Sequence, residues 1–139
     1  MIYAFNDQDI DYSACGGKGA SLAKLSQAGF PVPNGFVVPA GVYLEYEKTE
    51  VISEELQQDI LSMFDELGLS RVAVRSSAVA EDSADNSFAG QLETFLNVSR
   101  EKLVESIVAC FKGTESERYK TYTRKNSIDY NPVAVVVQE

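Results

Sequence analysis

Residues 14–29 read Ala-Cys-Gly-Gly-Lys-Gly-Ala-Ser-Leu-Ala-Lys-Leu-Ser-Gln-Ala-Gly. Three glycines surround Lys18, and glycines let a backbone come close to a ligand. Apolar residues then recur at helical spacing, which predicts a helix over residues 17–28. These apolar residues are Leu22, Leu25 and Ala28. The unpaired N–H groups and partial positive charge at the start of such a helix, beside a lysine, favour an anion such as phosphate.

The residues of this stretch alone are compatible with two interpretations. It lacks the G-x-x-x-x-G-K-[ST] order of a P-loop, so it does not match that phosphate-binding loop. The same glycines would also suit a turn into an ordinary packed helix that leaves Lys18 exposed. Other motifs in the chain are needed to distinguish a phosphate site from a simple helix start.

Composition excludes several classes of protein. The 139 residues suffice for one domain or part of one, with 45% hydrophobic and 24% charged residues. The formal net charge of −9 argues against a nucleic-acid partner and against an anionic membrane surface. No apolar run is long enough to span a bilayer. Cys15 and Cys110 have no metal-ligand spacing, so we predict a reduced, cytoplasmic protein.

Histidine is absent from the chain. Its absence removes the commonest general base and the commonest side chain that carries a phosphoryl group. If the protein handles phosphoryl groups, it does so by positioning and charge, or the acceptor lies outside this chain.

The pattern of apolar and turn residues predicts strands and helices along the chain, with helices that cover a sheet. The predicted strands are residues 1–5, 36–38, 71–77, 92–98 and 133–137. Beyond the first helix, a second helix is predicted over residues 40–48. Two more are predicted from their caps and stops, one from Ser53 to Gly68 and one from Ser99 to Gly113. A last helix is predicted after residue 114. The strand at 133–137 is almost wholly β-branched, which indicates a central position. Because a buried strand so near the last residue still needs partners, we expect residues 1–139 to be one piece of a longer polypeptide.

Two further stretches carry polar chemistry. Arg75-Ser76-Ser77 places a guanidinium and two hydroxyls at a strand end, which would suit an anion fork, or an ion pair with Glu81 or Asp82. Residues 80–91 are rich in small and acidic residues, as in loops that close over a ligand, although a solvated acidic turn has the same composition.

Taken together, the motifs resemble the N-terminal nucleotide-binding domain of the phosphoenolpyruvate synthase and pyruvate phosphate dikinase superfamily. That superfamily also includes rifampin phosphotransferases. The resemblance runs from residue 16 to residue 139. Its motifs are Gly-Gly-Lys-Gly-Ala-Ser-Leu-Ala-Lys-Leu (16–25), Gly-Phe-Pro-Val-Pro-Asn-Gly-Phe (29–36), Val-Arg-Ser-Ser-Ala (74–78), Ala-Glu-Asp-Ser (80–83), Ser-Phe-Ala-Gly-Gln (87–91) and Glu-Thr-Phe-Leu-Asn-Val (93–98).

The resemblance implies an ATP-grasp fold of the α+β class, with a mixed sheet flanked by helices. Residues 1–139 would form the first subdomain of its ATP-binding domain. Lys18 and Arg75 match the residues that contact the ATP phosphates and would be the catalytic cations. The other ATP-binding positions implied are Gly90, Gln91 and Thr94 on a glycine-loop lid, and Gln138 and Glu139 at the hinge that recognises adenine. Mg²⁺ is implied as well, with its ligands in the second subdomain and none in this chain.

What the resemblance implies about activity is a phosphotransferase that passes the β-phosphoryl of ATP to a histidine elsewhere and then to pyruvate, releasing AMP and phosphate. A rifampin-type antibiotic phosphotransferase is the alternative, and a non-catalytic nucleotide-binding or regulatory module is the alternative of another class. The implied partners are ATP, the remaining domains of the parent polypeptide, and the pyruvate or antibiotic acceptor bound by those domains. The fragment alone would be inactive.

Overall fold

The computed structural model describes residues 2–78, 94–112 and 133–139. Two of the predicted features fall outside these ranges. They are the loop at 80–91 and the helix after residue 114.

The described elements follow the predicted order closely. The strands are β1 (Tyr3–Ala4), β2 (Gly35–Val38), β3 (Val72–Ala78), β4 (Thr94–Val98) and β5 (Val133–Gln138). The helices are α1 (Gly16–Gln27), α2 (Ala40–Thr49), α3 (Glu54–Glu66) and α4 (Leu103–Lys112). Short 3-10 segments, Tyr12–Ala14 and Arg100–Lys102, precede α1 and α4. The α+β class is therefore confirmed.

The sheet differs from the prediction in one respect, because its described pairings are all antiparallel and it is not mixed. The strand order is β1-β2-β5-β3-β4. β2 and β3 run in the same direction, as expected for strands joined through α2 and α3. β5 lies between them in the opposite direction, so β2 and β3 do not pair with each other.

β5 is the central strand, as its composition predicts. All six of its residues are buried, and alternate side chains enter two different apolar clusters. Val133, Val135 and Val137 join the larger cluster, which is formed with α2, α3 and α4. Ala134 and Val136 join the smaller cluster, which lies under α1. The sheet therefore has helices on both faces, and α1 covers one face by itself among the described helices.

The face of α1 that packs on the sheet consists of small residues. Gly16, Gly17, Gly19, Ala20 and Ala23 are its buried positions. Leu22, Leu25 and Ala28, whose spacing predicts the helix, contribute little to this face, because Leu25 and Ala28 are exposed and Leu22 is only partly buried. Small residues let the helix axis approach the strands closely, so the glycines serve packing as well as the loop.

The helix boundaries confirm one predicted cap and correct another. Ser53 caps α3, since its Oγ accepts a hydrogen bond from the Leu56 N–H at 3.2 Å. Gly68 follows this helix with a φ of 68°, as its predicted role as a stop requires. Ser99 makes no capping hydrogen bond, and the chain enters α4 through a 3-10 turn instead. Among the described helices, none has both the length and the apolarity to cross a bilayer.

Candidate functional site

Three elements converge on the sheet face that α1 covers. On β3, Arg75 and Ser77 have the same parity and therefore share this face. In the antiparallel register Arg75 lies opposite Val136 of β5 and Thr94 of β4. Residues directly opposite each other project from the same face, so Thr94 and Arg75 are neighbours there.

The Ser77 hydroxyl joins the start of α1 to β3. Its Oγ donates to the Cys15 carbonyl at 3.0 Å and accepts from the Gly19 N–H at 3.2 Å. The Ser77 side chain is fully buried. The glycine-rich turn that carries Lys18 is thereby tied to the strand that carries Arg75, at a point two residues along from the arginine.

Two glycines make this close contact possible. A Cβ on Gly16 would lie 2.3 Å from the Ser77 carbonyl oxygen, and Gly16 has a φ of +72°, which L side chains rarely adopt. A Cβ on Gly19 would lie 3.1 Å from the Cys15 Cβ and 3.3 Å from Val37. Gly16 is therefore required by packing and by backbone conformation, and a side chain at Gly19 would need its neighbours to move by a few tenths of an ångström.

Lys18 lies in the first turn of α1 and is partly buried. No side chain caps this turn from the N-cap position, because Cys15 makes no capping hydrogen bond. Of the N–H groups in the first turn, that of Gly19 is taken by Ser77. The preceding N–H groups have no i−4 carbonyl partner within the helix, as at every helix start.

Arg75 is held by the end of β5. Its Nη2 donates a 2.6 Å hydrogen bond to Oε1 of Gln138. Its Nε is buried and has no hydrogen-bond partner among the described residues. Within residues 2–78, 94–112 and 133–139, no carboxylate forms an ion pair with Arg75. The described surroundings thus leave its positive charge uncompensated, which suits an anionic ligand.

The last two residues lie where the sheet ends. Gln138 is buried and faces Gly35 of β2 and Ala73 of β3 in the register. The Glu139 N–H donates to the Asn34 carbonyl at 2.8 Å, and Glu139 itself is exposed.

The predicted anion fork of Arg75 with two serine hydroxyls does not form. The Ser77 hydroxyl already donates one hydrogen bond and accepts another within the protein. Ser76 has the opposite parity and therefore faces the larger apolar cluster, where it is 1% exposed. Alternation along a strand separates two adjacent hydroxyls, and this signal was available from the sequence.

Some of the predicted site residues belong to the stretch between β3 and β4. Gly90 and Gln91 lie outside the described residues, as do Glu81 and Asp82. Thr94 is described, is exposed, and lies at the start of β4. The structure therefore brings together Arg75, Gln138, Thr94 and the turn that carries Lys18. The Gln138 side chain was not predicted as a partner of Arg75, because the resemblance implies a role only for the backbone at this position.

Cys15 is the buried N-cap residue of α1. Burial, with the charge of Asp11 as the smaller cause, raises the pKa of its thiol to about 11. Its Sγ also lies 3.3 Å from the Asp11 carbonyl oxygen. A neutral, buried thiol is a poor nucleophile, so Cys15 acts as a packing residue beside the glycine turn.

A cavity of about 490 Å³ is lined mainly by residues of α2 and α3 and is bordered by Ala14, which precedes the glycine turn. It is lined partly by Glu45, Glu55 and Asp59 and contains neither Lys18 nor Arg75. Three carboxylates repel a polyphosphate, so we do not assign the nucleotide to this cavity. Within the described residues, no group of three acidic, histidine or cysteine side chains is placed to hold a metal ion.

A family model and several longer relatives match the sequence of this chain. Residues 47–139 match the family model described as pyruvate phosphate dikinase, AMP/ATP-binding domain. The chain belongs to this family. The match includes Arg75, Thr94 and Gln138 and begins after α1, so it does not cover Lys18.

The relatives of this AMP/ATP-binding domain are much longer proteins. A probable phosphoenolpyruvate synthase from Methanothermobacter thermautotrophicus is 34% identical over 93% of the chain and 25% of its own length. A rifampicin phosphotransferase from Streptomyces sviceus is 34% identical over 99% of the chain and 21% of its own length. A prodigiosin synthesizing transferase, PigC, from Serratia marcescens is 30% identical over 99% of the chain and 18% of its own length. The domain therefore spans a quarter or less of these relatives.

Proposed function

We propose that this domain supplies the phosphate-binding part of an ATP site in a phosphotransferase, with Lys18 and Arg75 as the two cations that contact the phosphates. The observation that carries the proposal is the Ser77 hydroxyl, which joins the first turn of α1 to the strand that bears Arg75. A glycine-rich helix start and a guanidinium on one sheet face both suit a polyanion.

The remaining contacts are assigned around these two cations. Thr94 shares a row of the sheet with Arg75, which supports a contact between its hydroxyl and a phosphate. The backbone of Gln138 and Glu139, at the end of β5, is assigned to adenine. Gly90 and Gln91 are assigned to the phosphate lid from the resemblance alone.

The proposed reaction transfers the β-phosphoryl of ATP to a histidine elsewhere in the protein and then to pyruvate, releasing AMP and phosphate. Phosphoryl transfer depends mainly on positioning and on charge stabilisation. Lys18 and Arg75 would supply both at the oxygens of the transferred group. The chain contains no histidine, so the carrier belongs to other residues of the protein.

Mg²⁺ would neutralise phosphate charge in this reaction. From the resemblance, we assign its ligands to the phosphates and to residues of the second subdomain. We assign the protein to the cytoplasm, where ATP is available and where buried thiols such as Cys15 and Cys110 stay reduced.

The identity of the acceptor needs a direct test, because the synthase and the rifampicin phosphotransferase are both 34% identical to the chain. Full-length protein is incubated with ATP and pyruvate, or with ATP and rifampicin, and AMP release is followed. We expect release with pyruvate. Release with rifampicin alone would move the assignment to the antibiotic phosphotransferases, and release with neither would favour a non-catalytic module.

The two cations are tested by Lys18→Ala and Arg75→Ala in the full-length protein. The controls are Lys24→Ala, in the same helix, and Arg71→Ala, just before the same strand, since both residues are exposed. We expect each site variant to reduce ATP-dependent phosphorylation at least about 100-fold with an unchanged fold, and each control to change it less than about threefold. Wild-type turnover in either site variant would remove that residue from the site.

A further inference from the structure

We infer that Ser77 is a positioning residue of the nucleotide site, whose hydroxyl sets where the first turn of α1, and with it Lys18, stands relative to Arg75. This inference rests on the proposed function, because it assigns Ser77 a part in that same site. Ser77 does not touch the nucleotide in this account, and it acts through the turn that does.

The hydroxyl occupies a bridging position in the first turn. The Cys15 carbonyl and the Gly19 N–H are separated by four residues, which is the spacing that pairs such groups in an α-helix. Ser77 Oγ contacts both of them, at 3.0 and 3.2 Å, from a strand about 60 residues further along the chain. One hydroxyl therefore fixes both the carbonyl of the N-cap residue and the N–H of the fourth residue of α1.

The contact leaves little freedom for the turn to shift. The Gly16 Cα lies so close to the Ser77 backbone that a Cβ would stand 2.3 Å from its carbonyl oxygen. Cys15 makes no capping hydrogen bond, and the hydroxyl from β3 instead accepts from the N–H of Gly19, one residue beyond the positions that a capping side chain serves. Arg75 is two residues from Ser77 on a paired strand. The backbone of β3 therefore fixes the position of the turn relative to the position of the guanidinium.

Ser76 offers a matched comparison inside the same motif. It is as deeply buried as Ser77, but among the described residues its Oγ has no hydrogen-bond partner. It faces the opposite side of the sheet, away from α1. Substitution of Ser76 by alanine therefore removes a buried hydroxyl from β3 without touching the helix start.

The experiment compares Ser77→Ala with Ser76→Ala in the full-length protein. Amide exchange of Gly19 is measured without nucleotide, and binding of magnesium and adenosine 5′-(β,γ-imido)triphosphate is measured by calorimetry. We expect Ser77→Ala to raise Gly19 exchange about tenfold or more and to weaken nucleotide binding about 10- to 100-fold. We expect Ser76→Ala to change either quantity less than about threefold.

A double variant separates positioning from a general loss of structure. If Ser77 acts through the turn that bears Lys18, its removal has little further effect once the ammonium is gone. We expect Ser77→Ala to cost less than about threefold in affinity when it is added to Lys18→Ala. Full additivity of the two losses would overturn the positioning role.

The outcomes distinguish this inference from the proposed function. Tight binding by the wild type with equal binding by Ser77→Ala would overturn the inference and leave the proposed function standing. No binding by the wild type would overturn both. Faster Gly19 exchange together with weaker binding in Ser77→Ala alone would establish the role.

Discussion

The Nη2 of Arg75 and the Oε1 of Gln138 are 2.6 Å apart, and this hydrogen bond joins β3 to the end of β5. A guanidinium donor makes it a charge-assisted bond, which is shorter and stronger than one between neutral groups. Gln138 is buried, so its amide oxygen has little competition from water. The side chain at the end of the central strand therefore fixes the direction of the guanidinium.

Replacement of Gln138 by glutamate is expected to separate stability from nucleotide binding. The carboxylate keeps the contact and adds an ion pair with Arg75, so the midpoint of thermal unfolding stays at or above that of the wild type. The same ion pair neutralises the guanidinium, and affinity for the imidotriphosphate falls about tenfold. Thermal unfolding and calorimetry measure the two effects.

Gln138→Leu serves as the control for this prediction. It leaves a donor of Arg75 unpaired, so the free energy of unfolding falls by about 1–3 kcal/mol while the positive charge is kept. Gln138→Glu that binds the nucleotide as tightly as the wild type would show that the charge of Arg75 does not contribute to binding.

A series of glycine-to-alanine variants is expected to separate steric clash from backbone strain. Gly41 lies in α2 without positive φ and with open space around its Cα, so Gly41→Ala is neutral or stabilises by up to about 1 kcal/mol. Gly29 has a φ of +90° but open space, so its substitution costs about 1–3 kcal/mol. Gly16 combines positive φ with a 2.3 Å contact, and Gly16→Ala is the most destabilising. Urea unfolding gives the order, and equal losses at Gly16 and Gly29 would contradict the close contact with Ser77.

The raised pKa of Cys15 predicts a loss of stability in alkaline solution. The pKa of the folded thiol is about 11, against an ordinary value of 9.0, so the unfolded chain loses this proton first as the pH rises. The contribution of the thiol to the free energy of unfolding is complete below pH 9 and is lost between pH 9 and pH 11. Urea unfolding across this range is compared with Cys15→Ala, in which the decline is smaller. An identical decline in both proteins would assign it to other groups.

The cap of α3 is expected to contribute measurably to stability. Ser53→Ala removes the hydrogen bond to the Leu56 N–H and lowers the free energy of unfolding by about 1 kcal/mol. Ser99→Ala is the control, because Ser99 makes no capping hydrogen bond and its replacement changes stability by less than about 0.5 kcal/mol. Equal losses in the two variants would argue against capping as the cause.

Periodicity and composition predicted the elements of this domain well, but they did not predict how the elements meet. The run at 133–137 is apolar at every position, and only a strand covered on both faces accommodates that pattern. Its direction was not readable, because an antiparallel strand inserted between β2 and β3 leaves the same sequence pattern as a parallel one.

The candidate site residues were chosen from local sequence, and their role in binding stays a prediction. Lys18 and Arg75 were selected by charge and by motif, which are local properties. The contacts of Ser77 with α1 and of Gln138 with Arg75 join residues about 60 positions apart, and no local pattern encodes them. The parity of Ser77 with Arg75 was the available clue, since it places both on one face of the strand.

The central place of β5 has a consequence for biosynthesis. It is the last of the five described strands along the sequence, and it separates the β1–β2 pair from the β3–β4 pair. Until residues 133–138 leave the ribosome, these two pairs share no ladder and each shows an open edge. Nascent chains are therefore most exposed to chaperones and to misassembly just before this strand emerges.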